Sequence, residues 1–131
     1  MELLNVLAAA IASYAFGAVW YMTLAKPWMA ASGVAVGNDG QPKNRANPIP
    51  YIVSIICTII VAGMMRHVFS LAGIDTAGKG LIAGLGIGLF LVMPWIATNY
   101  TFADRPKALI LIDGGYATIG CTIIGLVLTL F

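Results

Sequence analysis

An aspartate stands in a run of residues that otherwise belongs in lipid. In "KALILIDGGYATIG", residues 107–120, Asp113 is the one ionisable acid, and the whole chain has only five acidic residues in 131. A charged side chain at membrane depth costs about 2.5–3.5 kcal/mol on insertion scales, so it needs either partners or a task. Three readings follow. Asp113 accepts hydrogen bonds from Tyr21, Asn99 or Tyr100, or pairs with Lys26, Arg45 or Arg105, as a structural clamp between helix ends. Alternatively it is a protonatable or ligand-binding group, or it is solvated at the membrane interface. The clamp is preferred, because every one of these partners falls at the same ends of the spans described below.

Other chemistry-bearing residues are sparse. The one histidine, His67, cannot build a zinc site with Cys57 and Cys121, which lie in apolar runs and read as small hydrophobes. No metal and no cofactor is expected. No nucleophile–base pair is visible, and catalysis by His67 with Asp113 would join residues placed at opposite membrane faces. Arg66 and His67 read as side chains snorkelling from the end of a span, Asp75 and Lys79 as solvated loop charges, and Lys26 with Trp28 as an interfacial anchor.

The elements that must position Asp113 are membrane helices. The chain is 60% hydrophobic and 9% charged, about a third of the charge of a typical soluble domain. Segments of about 20 apolar residues occur at roughly 3–24, 48–67, 78–99 and 106–130. The fold expected is all-α: an integral membrane bundle of four transmembrane helices with antiparallel neighbours, forming a single domain over 1–131. The amino-terminal segment has no Lys or Arg in an n-region and reads as the first span, not a signal peptide. The net charge of +2, with no basic stripe, argues against nucleic acid.

Lys26, Lys43 and Arg45 fall in the 25–47 loop, and Arg105 and Lys107 at the third connection, against Arg66 and Lys79 on the other side. This bias places loops 25–47 and 100–106 in the cytoplasm and both termini outside. Pro94, inside the third span, should kink it.

Small residues spaced by four supply close-packing faces. Gly80, Gly84 and Gly88 form one ridge on the third span. Ala9, Ser13 and Gly17 share a face of the first, and Ser54, Thr58 and Ala62 of the second. On the fourth, Asp113 heads the face of Ala117, Cys121, Gly125 and Thr129, away from lipid. These are expected to be internal packing faces; a pore or a homo-oligomer seam is the alternative.

The pieces "GAVWYMTLAKPWM", "NYTFADRPKALILIDGGY" and "GLVLTLF" resemble the small bacterial membrane family catalogued as domain of unknown function 1761. The resemblance covers nearly the whole chain and rests on Gly17, Trp20, Tyr21, Lys26, Trp28, Asn99, Tyr100, Arg105, Pro106, Gly115 and Tyr116. It implies four spans and the bacterial inner (cytoplasmic) membrane. Trp20, Tyr21, Lys26, Asn99, Tyr100, Arg105 and Asp113 are expected to converge at the cytoplasmic ends. The function expected is a non-catalytic interaction module, self-associating or accessory to a larger membrane assembly, with membrane lipids as its certain surroundings. The alternative is a small proton-coupled transporter or channel that works as an oligomer through Asp113. Small four-helix exporters resemble the chain in size but carry a glutamate within span one, which this chain lacks.

Overall fold

The computed structural model describes residues 2–131, with five helices: α1 (Glu2–Thr23), α2 (Ala25–Ser32), α3 (Ile49–Ala72), α4 (Ala77–Phe102) and α5 (Lys107–Leu128). All but α2 are long and apolar enough to cross a membrane. The chain is therefore a multi-pass membrane protein. Pro50 in the first turn of α3 and Pro106 just before α5 stand where a missing N–H costs nothing. The second span runs to Ala72 and not to about 67, so Arg66 and His67 lie within the helix, not at its tip.

α5 is the central helix. It packs against α4 on one side and α1 on the other, while α3 leans on the far side of α1 and touches α5 more lightly. The consecutive pairs α1–α3 and α4–α5 are packed neighbours. α3 and α4 are consecutive too, joined by only residues 73–76, yet make no substantial interface. The last turn of α5 lies between them: Arg66 of α3 donates to the Leu128 carbonyl, and Gly80 of α4 packs on Gly125 and Thr129. In that connection Asp75 is paired with Lys79 at 3.0 Å. The hydrogen bond from Lys79, and then its charge, hold the Asp75 carboxyl below its ordinary range.

The α4–α5 seam shows what the small residues are for. A β-carbon on Gly80 would meet Thr129 and the Gly125 carbonyl, one on Gly84 the Cys121 carbonyl, and one on Gly88 the Thr118 backbone. Gly86, one step off this face, has nothing within 4 Å of its β-carbon position. The Gly80–Gly84–Gly88 ridge is thus filled from within the chain, by the face that carries Ala117, Cys121 and Gly125. Backbones approach closely enough there for dispersion to act where burial from lipid gains little. On the other side of α5, α1 brings Ser13 against Gly120 and Gly17 under the Tyr116 ring. Val6, Ala9, Ala10, Ala62, Met65, Phe69, Cys121, Ile124 and Leu128 make the core among α1, α3 and α5.

Just ahead of Pro94 the α-helical pattern of α4 is interrupted. Residues Gly88–Val92 form a π-helical turn, with the Met93 N–H bonded back to the Gly88 carbonyl. Such a turn holds one extra residue. Tyr100 lies twelve residues past Gly88. In an unbroken α-helix twelve residues turn a side chain to about 120° from its starting face, while eleven bring it within about 20°. The π turn absorbs the twelfth. The glycine ridge and Tyr100 can then both face α5.

The 25–47 loop begins with a short helix, α2. α2 packs on α5 and α1 and ends at Gly33, whose φ of 71° is left-handed. Beyond it the chain folds back through one antiparallel bridge between Val36 and Pro42.

Candidate functional site

Three helix ends meet at Asp113. Tyr21 sits in the last turn of α1, Tyr100 near the end of α4, and Asp113 in the second turn of α5. The Tyr21 hydroxyl donates to one carboxyl oxygen of Asp113 at 2.6 Å, and the Tyr100 hydroxyl donates to the other at 2.6 Å. Both oxygens act as acceptors, one for each hydroxyl. Asp113 thereby links α1, α4 and α5 through two bonds, in a half-buried position.

The residues around it lock this geometry. The Trp20 indole N–H donates to the Ile112 carbonyl at 2.9 Å. Its ring lies so close to Gly115 that a β-carbon there would sit 2.9 Å from it. Tyr116 stands edge-on to Tyr21 with centroids 5.4 Å apart, and Tyr21 is likewise edge-on to Trp28 at 6.3 Å. Phe16 adds a further contact to Trp20 and Tyr116. Edge-to-face aromatic contacts of this kind contribute about 0.5–1.5 kcal/mol beyond the area they cover. On the α4 side, the Met93 sulfur fills the space above Gly114.

Of the residues expected to converge, Trp20, Tyr21, Tyr100 and Asp113 do so. Asn99 does not: it is exposed, and its side chain makes no hydrogen bond to Asp113. One step along a helix turns a side chain by about 100°, so Asn99 and Tyr100 cannot share a target. Lys26, on α2, is exposed and makes no ion pair among the described residues. Arg105 is committed elsewhere. It donates to the Ser32 carbonyl at the end of α2, where a cation also opposes the negative end of the helix dipole. Arg45 pairs with Asp39 at 3.2 Å. No cation lies within ion-pair distance of Asp113 among the described residues.

A second polar cluster, at the end that carries both termini, escaped sequence reading. Asn5 is 1% exposed. Its side-chain amide donates to the Phe131 carbonyl at 2.9 Å and the Leu128 carbonyl at 3.2 Å. Arg66 donates to the same Leu128 oxygen at 3.3 Å. Together they satisfy carbonyls that every helix leaves unpaired at its C-terminal end. The available signal was one Asn amid an otherwise apolar first span. Among the described residues, no group of three or more His, Cys, Asp or Glu side chains is gathered to hold a metal.

The family described as "Protein of unknown function (DUF1761)" has a sequence model that matches residues 4–129. The chain belongs to that family. No curated protein and no solved structure matches it. The DUF1761 match spans Tyr21, Tyr100 and Asp113, and Asn5, Arg66 and Leu128 of the second cluster.

Proposed function

We propose that this DUF1761 protein is a non-catalytic membrane interaction module, self-associating or serving as an accessory subunit of a larger membrane assembly. The observation that carries this reading is where the polar groups go. Asp113 is occupied by Tyr21 and Tyr100, Trp20 by Ile112, and Arg105 by Ser32. These groups join helices, and the outward faces are left as the working surface. In the 18-residue apolar stretches of α3 and α4 only 17% of the residues are buried within the chain, against 33% in those of α1 and α5. The ridge Gly80–Gly88 is already filled and contributes nothing to that surface. A bacterial inner membrane, with the Lys26–Lys107 side in the cytoplasm, fits the excess of basic residues there. Native mass spectrometry and cross-linking in mild detergent test the module. An oligomer or a co-purifying membrane partner is expected; monomer alone from both measurements contradicts it.

One observation favours a second reading. Asp113 is a carboxyl group in a membrane span with hydroxyl partners and, among the described residues, no counter-cation, which is the setting of a proton carrier. Under that reading the protein is a small proton-coupled transporter, and Asp113→Asn abolishes substrate-driven pH change in proteoliposomes. Unchanged transport in the variant removes the carboxylate mechanism.

A further inference from the structure

The groove between α1 and α3, at the end of the fold opposite Asp113, has a polarity gradient. Glu2, Leu3, Val6, Ile59, Gly63, Arg66, His67 and Ser70 line a space of about 400 Å³. On α3 the lining residues recur every three or four positions and form one face. Its charged end holds Glu2, Arg66, His67 and Ser70. From Arg66 to Ile59 the same face runs about 10 Å towards the middle of the span, where a β-carbon on Gly63 would lie 4.0 Å from the Val6 side chain.

Arg66 is held in place without being used up. One of its terminal nitrogens donates to the Leu128 carbonyl. The other lies 3.8 Å from the Glu2 carboxylate, an ion pair too long for a hydrogen bond. Its Nε is enclosed by the protein, out of a ligand's reach, so the donors left for a ligand are those of the terminal nitrogens. A half-buried guanidinium with unspent donors is an anion site, and the fork suits a phosphate. The exposed His67 and Ser70 stand on the same side with further donors. Glu2 would repel a bare phosphate, unless the ligand also brings a cation.

We propose that this groove binds one phospholipid with an amine headgroup. Its phosphate sits at Arg66, its ammonium at Glu2, and one acyl chain lies along Leu3, Val6, Ile59 and Gly63. An ethanolamine headgroup carries both charges on one short chain, in the order that the protein's own two charges require. A trimethylated headgroup has the cation but no N–H to give Glu2, and a glycerol headgroup has no cation.

The test is native mass spectrometry of the full chain in mild detergent, titrated separately with phosphatidylethanolamine, phosphatidylglycerol and phosphatidylcholine. The wild-type protein should retain phosphatidylethanolamine roughly tenfold better than the other two, tenfold being about 1.4 kcal/mol. Glu2→Gln, at an exposed position, should erase that preference. Gly63→Leu should lower retention of the lipid, since the added side chain starts in contact with Val6 and takes up the space of the acyl slot. Soluble phosphoethanolamine should not displace the bound lipid. Equal retention of all three lipids, a preference for phosphatidylglycerol, or full retention by Gly63→Leu would each overturn the assignment. Displacement by soluble phosphoethanolamine would do the same, because the acyl slot would then play no part.

Discussion

Asn5 and Asn99 separate what residue type tells from what position tells. Both are amides near the end of an apolar span, and only Asn99 was expected to matter. Asn5 is the one that the fold encloses, with three backbone carbonyls within its reach. Asn5→Leu should lower stability by about 0.5–1.5 kcal/mol, the net worth of a lost hydrogen bond, since Leu128 keeps its Arg66 donor while Phe131 loses Asn5. Asn99→Ala should stay within about 0.5 kcal/mol, as exposed substitutions do. Thermal unfolding followed by circular dichroism in detergent measures both. The importance of Asp113 was legible, because a lone carboxylate in an apolar run has to be explained by something. Its partners were legible only in part. Sequence fixes how far along a span a residue lies, and hence that Tyr21, Lys26, Asn99 and Tyr100 share a depth. The direction in which each points around its own helix depends on local winding and on where the chain turns, and this removed Asn99 and Lys26.

Among the elements, the four spans were readable from apolar length alone, and the small-residue faces from their spacing of four. Two features were not. α2 is only eight residues long, below the length at which periodicity stands out, and its last carbonyl is met by Arg105 reaching across from the α4–α5 connection. The π turn of α4 leaves no compositional trace beyond Pro94, because inserting one residue shifts a register without changing character. Its role can be tested by removing the insertion. Deletion of Leu91, an exposed residue within the π turn, should restore an α-helical register while leaving Tyr100 facing Asp113. Tyr100→Phe should then cost the same in the deleted background as in the full chain, within about 0.5 kcal/mol, since an unaltered contact gives additive effects. If Tyr100→Phe becomes neutral after the deletion, the π turn does not set the facing of Tyr100.

At the scale of the whole molecule, α5 is held at both ends by side chains from other helices. Near its start Asp113 accepts from Tyr21 and Tyr100; near its end the Leu128 carbonyl accepts from Asn5 and Arg66. Between them, glycine and threonine backbones bring α4 and α5 into close contact. This division of labour follows from the solvent. Apolar side chains gain little by leaving lipid for protein, so helix association is carried by close backbone approach and by polar bonds at chosen points. It also leaves α3 and α4 with broad apolar outer faces, which lipid or a partner covers. The clasp at Asp113 is tested most directly by a double-mutant cycle of Asp113→Leu with Tyr21→Phe, unfolded in detergent micelles. A coupling of about 1.5–3 kcal/mol is predicted, the range for hydrogen bonds to a charged group. Additivity of the two substitutions within about 0.5 kcal/mol would contradict a carboxylate that joins these helices.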